Sequence, residues 1–234
     1  MTAAFGYARG VSVAANLEAV RSRIAAASER AGRDPAGVTL VGASAAFKGV
    51  TNAQIEAALA AGLHDFGENR VQAAAERIAA LGPRAREATW HLIGHLQRNK
   101  VREALALFDI LEAVDSLRLA EDLSRRSDHA VSILLEVNVA GEASKFGFAP
   151  VEVGAAVAAI GKLPKIDLRG LMTVAPAAAD PEAVRPVFRE LRELAAANGL
   201  RELSMGMTND FEVAIEEGAT IVRVGRAIFG EWPQ

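Results

Sequence analysis

Cysteine is absent from the 234 residues, which excludes disulfides, thiolate metal sites and a thiol nucleophile together. The chain holds one tyrosine, Tyr7, and it precedes the first regular pattern, which argues against chemistry that relies on a tyrosine base. Positive charge is not in excess. Lys and Arg number 26 against 29 Asp and Glu, for a net charge of −3, so the basic footprint of a nucleic-acid binder is missing. No apolar run reaches the roughly 18–20 residues that a membrane-crossing helix needs. The opening MTAAFGYARG lacks the charged start and long apolar stretch of a secretion signal. Neither a Gly-x-Ser-x-Gly elbow nor a P-loop is present. These absences point to a cytoplasmic protein with neither a nucleic acid nor a membrane as partner.

What the chain does have is alanine and a regular alternation. Hydrophobic residues make up 51%, enough for a large core, and much of that share is alanine, which favours helices. Residues 11–32 read as a helix, with Val13, Leu17, Val20, Ile24 and Ala27 on one stripe and Gly32 as a stop. Eight β-type runs follow: VTLVGAS (38–44), HDFG (64–67), TWHLIG (89–94), FDILEAV (108–114), VSILLEVN (131–138), IDLRGLMT (166–173), ELSMGM (202–207) and TIVRVG (220–225). Helical stretches such as TNAQIEAALAAG and PEAVRPVFRELRELAAANG separate them. Eight strand–helix units predict a single closed (β/α)8 barrel over residues 11–234, with an additional N-terminal helix in front and residues 1–10 as a flexible lead. The rival is an open doubly wound sheet, but VGASAAFKG matches its glycine-rich turn poorly.

In such a barrel, function sits just past the strands. The stretch SMGMTNDFEVAIEEGATIVRVGRAIFG (204–230) is the most informative. Strand seven ends in Gly206-Met207-Thr208-Asn209 and opens a helix that Thr208 or Asn209 can cap. Strand eight ends in Arg223, Gly225 and Arg226. Loops after these two strands are the usual phosphate site of this fold. The alternative is a plain capped helix and a barrel-closing glycine. In HLIGHLQRNK, His91 and His95 invite a metal reading, but the segment begins as a strand and no carboxylate lies close in sequence. Glu68-Asn69, after a buried run, suits either a turn or a ligand contact.

DFGENRVQ (65–72), WHLIGHLQRNK (90–100), Val114-Asp115-Ser116, VNVAGEASKFGF (137–148), LRGLMT (168–173), LSMGMTNDFEVAIEEGAT (203–220) and VRVGRAIFG (222–230) together resemble the YggS/PROSC family of pyridoxal phosphate homeostasis proteins. The resemblance spans about residues 11–231. It implies a barrel similar to the N-terminal domain of alanine racemase that binds pyridoxal 5′-phosphate (PLP) at the strand ends, without established turnover. It implies PLP-dependent apoenzymes as recipients and a monomer. By position, Ser204, Gly206, Met207, Thr208, Arg223, Gly225 and Arg226 would surround the phosphate. Asn69, His91 and Met172 would line the ring. Many members of that family carry threonine where this chain has Arg226.

The family attaches the cofactor through a lysine that ends the first strand. Aligned along the strand, that position is Ala45. Counted back from DFGEN, it is Lys48. Strand geometry constrains the inward residue more tightly than loop length does, which favours Ala45 as the structural equivalent. Other functions stay open at this point. One is a barrel enzyme acting on a small phosphorylated or amino-acid substrate. Another is a degenerate scaffold that has lost the lysine.

Overall fold

The computed structural model describes residues 12–44, 50–142 and 145–230. The expected lead 1–10 and the candidate residues Ala45 and Lys48 lie outside the described residues.

Eight parallel strands close on themselves in chain order: β1 (Thr39–Ala43), β2 (Asp65–Glu68), β3 (Thr89–Leu92), β4 (Ile110–Val114), β5 (Val131–Glu136), β6 (Ile166–Met172), β7 (Glu202–Ser204) and β8 (Ile221–Val224). The decisive pairing is β1 with β8, Val41 beside Arg223, because it turns a sheet into a barrel and rules out the open alternative. Helices α2 (Asn52–Ala60), α3 (Val71–Leu81), α4 (Val101–Leu107), α5 (Leu117–Arg126), α6 (Val153–Ile160), α7 (Arg185–Ala197) and α8 (Phe211–Glu216) link successive strands, and α9 (Arg226–Phe229) follows the last. This is the expected (β/α)8 barrel, with the additional helix α1 (Val13–Arg30) ahead of it. No helix among the described residues is long and apolar enough to cross a membrane.

The predicted stripe explains where α1 sits. Leu17, Val20, Ile24 and Ala27 are buried, Val13 is half-buried, and Gly32 leaves the helix at φ +64°. Ser12 caps the start by accepting from the Ala15 N–H at 3.2 Å. Polar bonds then fasten the helix to the end of the chain. Asn16 Nδ2 donates to the Ile228 carbonyl at 3.0 Å, and Arg33 donates to the carbonyls of Ile215 and Ala219 at 2.6 and 2.8 Å. The first and last elements of the barrel are therefore locked together from outside.

Two different interiors result. Between strands and helices lies an apolar layer that includes Phe66, Phe188 and Phe211, all fully buried. Inside the barrel, Val41, Leu134, Met172 and Ile221 form a much smaller apolar set. The remaining space there is taken by polar side chains: Ser204, the cross-strand neighbour of Met172, and Arg223, two residues beyond Ile221 on the same face, with Glu112 and His91. A barrel lumen usually carries bulky aliphatic layers. Charged groups here need mutual partners, and these supply the floor of the site.

Candidate functional site

A cavity of about 850 Å³ opens at the C-terminal ends of the strands. That is ample for a small aromatic ligand. Its walls combine apolar surface from Ile93, Val174, Ala175 and Pro176 with polar groups. Met207, Thr208 and Asn209 come from the β7–α8 loop, Gly225 and Arg226 follow β8, and Asn69 and Arg70 follow β2. Arg223 reaches it from the barrel interior.

The β7–α8 turn owes its shape to Gly206. At φ +92°, a Cβ there would stand 2.5 Å from the Ala214 Cβ and 2.8 Å from the Phe211 Cα. This is why β7 stops at Ser204, earlier than its apolar run suggests. The helix cap also differs from expectation. Asp210, not Thr208 or Asn209, is the N-cap of α8, and its carboxylate instead accepts from the Met207 N–H at 2.6 Å, closing the loop on itself. Gly206→Ala should therefore destabilise the protein by roughly 2–3 kcal/mol through strain and overlap. A thermal midpoint lowered by several degrees checks this; an unchanged midpoint would show that the turn can open freely.

Beneath the cavity runs a chain of buried hydrogen bonds. Arg223, 3% exposed, donates through Nη1 to Ser204 Oγ and through Nη2 to the Thr173 carbonyl at 2.8 Å. Ser204 donates to Glu112 Oε2 at 2.5 Å, and Arg223 Nη1 lies 3.7 Å from the same carboxylate oxygen. On the other side, His91 Nδ1 lies 2.6 Å from Glu112 Oε1, and His91 Nε2 lies 3.2 Å from Asp65 Oδ1. With a carboxylate against each ring nitrogen, both nitrogens must donate, so His91 is an imidazolium. Burial opposes that charge, but the bonds to Asp65 and Glu112 outweigh it and hold the pKa up to about 9. Burial likewise opposes charge on Glu112, yet His91, Arg223 and Ser204 keep its carboxyl below the usual range. Arg223 is lowered by burial, against the attraction of Glu112, Glu136 and Asp210. The charges alternate along the chain: Asp65 negative, His91 positive, Glu112 negative, Arg223 positive.

The structure brings some predicted residues together and holds others apart. Asn69, Met207, Thr208, Arg223, Gly225 and Arg226 share the cavity lining. His91, Met172 and Ser204 are fully buried within the barrel, and Ser204 meets the cavity only through Arg223. His91 lies outside the cavity lining, and both of its nitrogens are engaged by carboxylates of β2 and β4. The two histidines form no metal pair. His95 stands at the rim, its Nδ1 2.7 Å from Asp115 and its ring stacked on Phe146 at 3.9 Å. No group of three metal-binding side chains occurs among the described residues. Glu68 is structural: its Oε1 accepts from Ser44 Oγ and Arg77 Nε, both at 2.6 Å. Arg77 also donates to the Val50 carbonyl at 3.1 Å and Asn52 Oδ1 at 3.2 Å, so one buried carboxylate anchors the chain on both sides of segment 45–49.

Comparison with known proteins agrees with this geometry. The alanine racemase N-terminal domain family matches residues 15–233. The chain is 42% identical over 224 residues to the pyridoxal phosphate homeostasis protein of Pseudomonas aeruginosa, covering 94% of this chain and 95% of that one. This chain belongs to the pyridoxal phosphate homeostasis protein family. The family member of Aquifex aeolicus is 41% identical over 224 residues, covering 92% of this chain and 96% of its own. PipY of Synechococcus elongatus, solved with PLP bound, superposes with a TM-score of 0.81 at 34% identity over 94% of this chain and all of PipY. Sequence reasoning about this family member missed Glu112, Glu136 and Asp65. Glu112 and Glu136 sit inside apolar runs, FDILEAV and VSILLEVN, where a lone acid requires a buried partner. That signal was available.

Family membership leaves the charged interior to be tested directly. Because folding raises the pKa of His91 from 6.5 to about 9, its stabilisation is complete below pH 6.5 and is lost as pH rises through 9. Stability should fall by on the order of 1–3 kcal/mol between pH 6.5 and 9.5, His91 and Glu112 titrating as a pair. Urea unfolding at the two pH values measures it. His91→Gln should flatten the dependence; an equal slope in that variant would place its origin elsewhere.

Proposed function

We propose that this protein holds PLP in the strand-end cavity, reversibly and without turnover of its own, as a cofactor store. The observation that carries the reading is the pairing of apolar walls with three arginines, Arg70, Arg223 and Arg226, in one cavity. Arg223 is fixed in the floor by Ser204 and Thr173, while Arg226 lines the same cavity without an ion-pair partner among the described residues. A flat ring carrying a phosphate dianion fits that combination. In this reading Gly206 shapes the β7–α8 loop, and Met207, Thr208, Gly225 and Arg226 surround the phosphate. Asn69 faces the ring. Ser204, His91 and Met172 support from below. When bound, PLP brings an aldehyde that reacts with primary amines, and the residues of this chain bind and orient it. Alanine at position 45 supports noncovalent retention. PLP-dependent apoenzymes as recipients, the cytoplasm as compartment and a monomeric state belong to the same proposal, on the strength of the family resemblance.

The test is titration of the full chain with PLP, followed by visible absorption and equilibrium dialysis. Saturable retention near one equivalent, reversed by prolonged dialysis, is the expected result. No retention above that of a protein lacking the cavity would overturn the reading. Borohydride treatment and peptide mapping then separate noncovalent holding from attachment to Lys48.

A further inference from the structure

We propose that Glu112 is the positioning residue of this site: with Ser204 it fixes Arg223 in the cavity floor, and Asp65 and His91 hold it in place from the opposite end of the barrel. The inference rests on the PLP reading of the cavity and adds to it a group that never touches the ligand.

The argument starts from geometry. Arg223 is the only charged group that belongs both to the buried chain and to the cavity lining. Its two terminal nitrogens are engaged by Ser204 and Thr173, so the face it presents upward is set by those partners. Ser204 accepts from Arg223 and gives its own proton to Glu112 at 2.5 Å, so the Glu112 carboxylate fixes the hydroxyl's orientation. The serine is thus a one-way relay: it accepts above and donates below, and the acceptor below must be a carboxylate or an equivalent oxygen. Glu112 is wholly buried and takes its second oxygen's bond from His91. His91 is held by Asp65, whose side chain is 30% exposed and lines a separate cavity of about 370 Å³ beside the N-terminal ends of β1 and β2. Asp65 is therefore the only member that solvent reaches from the far side.

Charge fixes the sign of the effect. Asp65, His91, Glu112 and Arg223 sum to zero while His91 is protonated. Loss of that proton leaves the chain at −1 beneath an anionic ligand and leaves a single ring N–H for two carboxylates, Glu112 and Asp65. Glu136 and Asp210 face Arg223 from the cavity side, and Asp115, His95 and Lys145 surround Glu136; none of them contacts His91. PLP affinity should accordingly fall as pH rises through 9, beyond the titration of the cofactor itself, which is common to all variants.

The experiment measures PLP dissociation constants from pH 6.5 to 10 for the full chain and for Glu112→Gln, His91→Gln and Asp65→Asn. Glu112→Gln should weaken binding about tenfold near pH 7 and lose the alkaline fall, with an altered absorption maximum of the bound cofactor. His91→Gln should lose the alkaline fall as well. Asp65→Asn, at the far end and partly exposed, should fold normally and move the fall to lower pH by removing one of the two partners that hold the proton on His91. Wild-type affinity, spectrum and pH profile in a folded Glu112→Gln or Asp65→Asn would overturn the inference while leaving PLP binding intact. If Glu112→Gln does not fold, Asp65→Asn decides. A wild-type chain that binds no PLP would overturn both readings, and is distinguishable from the first outcome.

Discussion

Arg223→Met should destabilise the protein by about 3–5 kcal/mol, the cost of leaving a buried charge without its partner, and reduce PLP retention at least a hundredfold. Methionine fills much of the same space, so packing changes little. The loss is electrostatic. Glu112 keeps His91 and Ser204 but loses the cation 3.7 Å from its carboxylate, and Ser204 loses the donor above it. Arg223→Lys tests geometry apart from charge. One ammonium cannot reach both Ser204 Oγ and the Thr173 carbonyl with the planar fork of a guanidinium, so stability should recover further than binding does. Chemical denaturation and equilibrium dialysis measure the two effects separately. If Arg223→Met is as stable as the parent, the four charges are not coupled, and the alternation along the barrel axis has no energetic meaning. Replacing Arg223, Glu112 and His91 together by apolar residues should restore stability without restoring binding, since the one charge left, Asp65, has a side chain 30% exposed to solvent.

The contrast between that network and the rest of the chain shows what a sequence makes legible. The barrel could be read because eight apolar runs alternate with helical stretches, and α1 buries Leu17, Val20, Ile24 and Ala27 of the stripe its spacing nominates. That Met207, Thr208, Gly225 and Arg226 would come to the strand-end cavity could be read because they follow strands seven and eight. Glu112 could not be placed by period alone. In β4 it interrupts an apolar run, and its meaning depends on His91 twenty-one residues earlier and Ser204 ninety-two residues later. Nothing local encodes that convergence; barrel closure creates it. The same holds for Asp65, which opens DFGENRVQ and looks like the edge of a turn until β2 is laid beside β3 and its carboxylate meets His91. The α8 cap was misjudged for a related reason. Thr208 and Asn209 both have capping chemistry, but Gly206 turns the chain so that Asp210 arrives at the cap position first.

Ala45→Lys should turn a reversible PLP binder into a covalent one. The residue before it, Ser44, is fully buried and fixed by bonds to Gly67 O at 3.2 Å and Glu68 at 2.6 Å. Ala43, the last residue of β1, lines the cavity. A lysine at 45 therefore starts from a backbone whose near end is fixed at the cavity wall. Its amine adds to the cofactor aldehyde, water leaves, and a C=N bond forms; borohydride then supplies hydride to the carbon and makes the link permanent. Arginines at 223 and 226 favour this by disfavouring the ammonium form of a nearby lysine, which leaves more of the free amine that attacks. After PLP and borohydride, peptide mapping of Ala45→Lys should show the pyridoxyl group at position 45 at close to one equivalent, against almost none at that position in the parent. The rival register makes a different prediction. If the parent already carries the label on Lys48, and Lys48→Ala removes it, the nucleophile belongs to the loop and the strand alignment is wrong. If Ala45→Lys takes no label but still retains PLP noncovalently, the ring lies out of reach of the first strand. If it neither takes label nor retains PLP, the cavity serves some other anion.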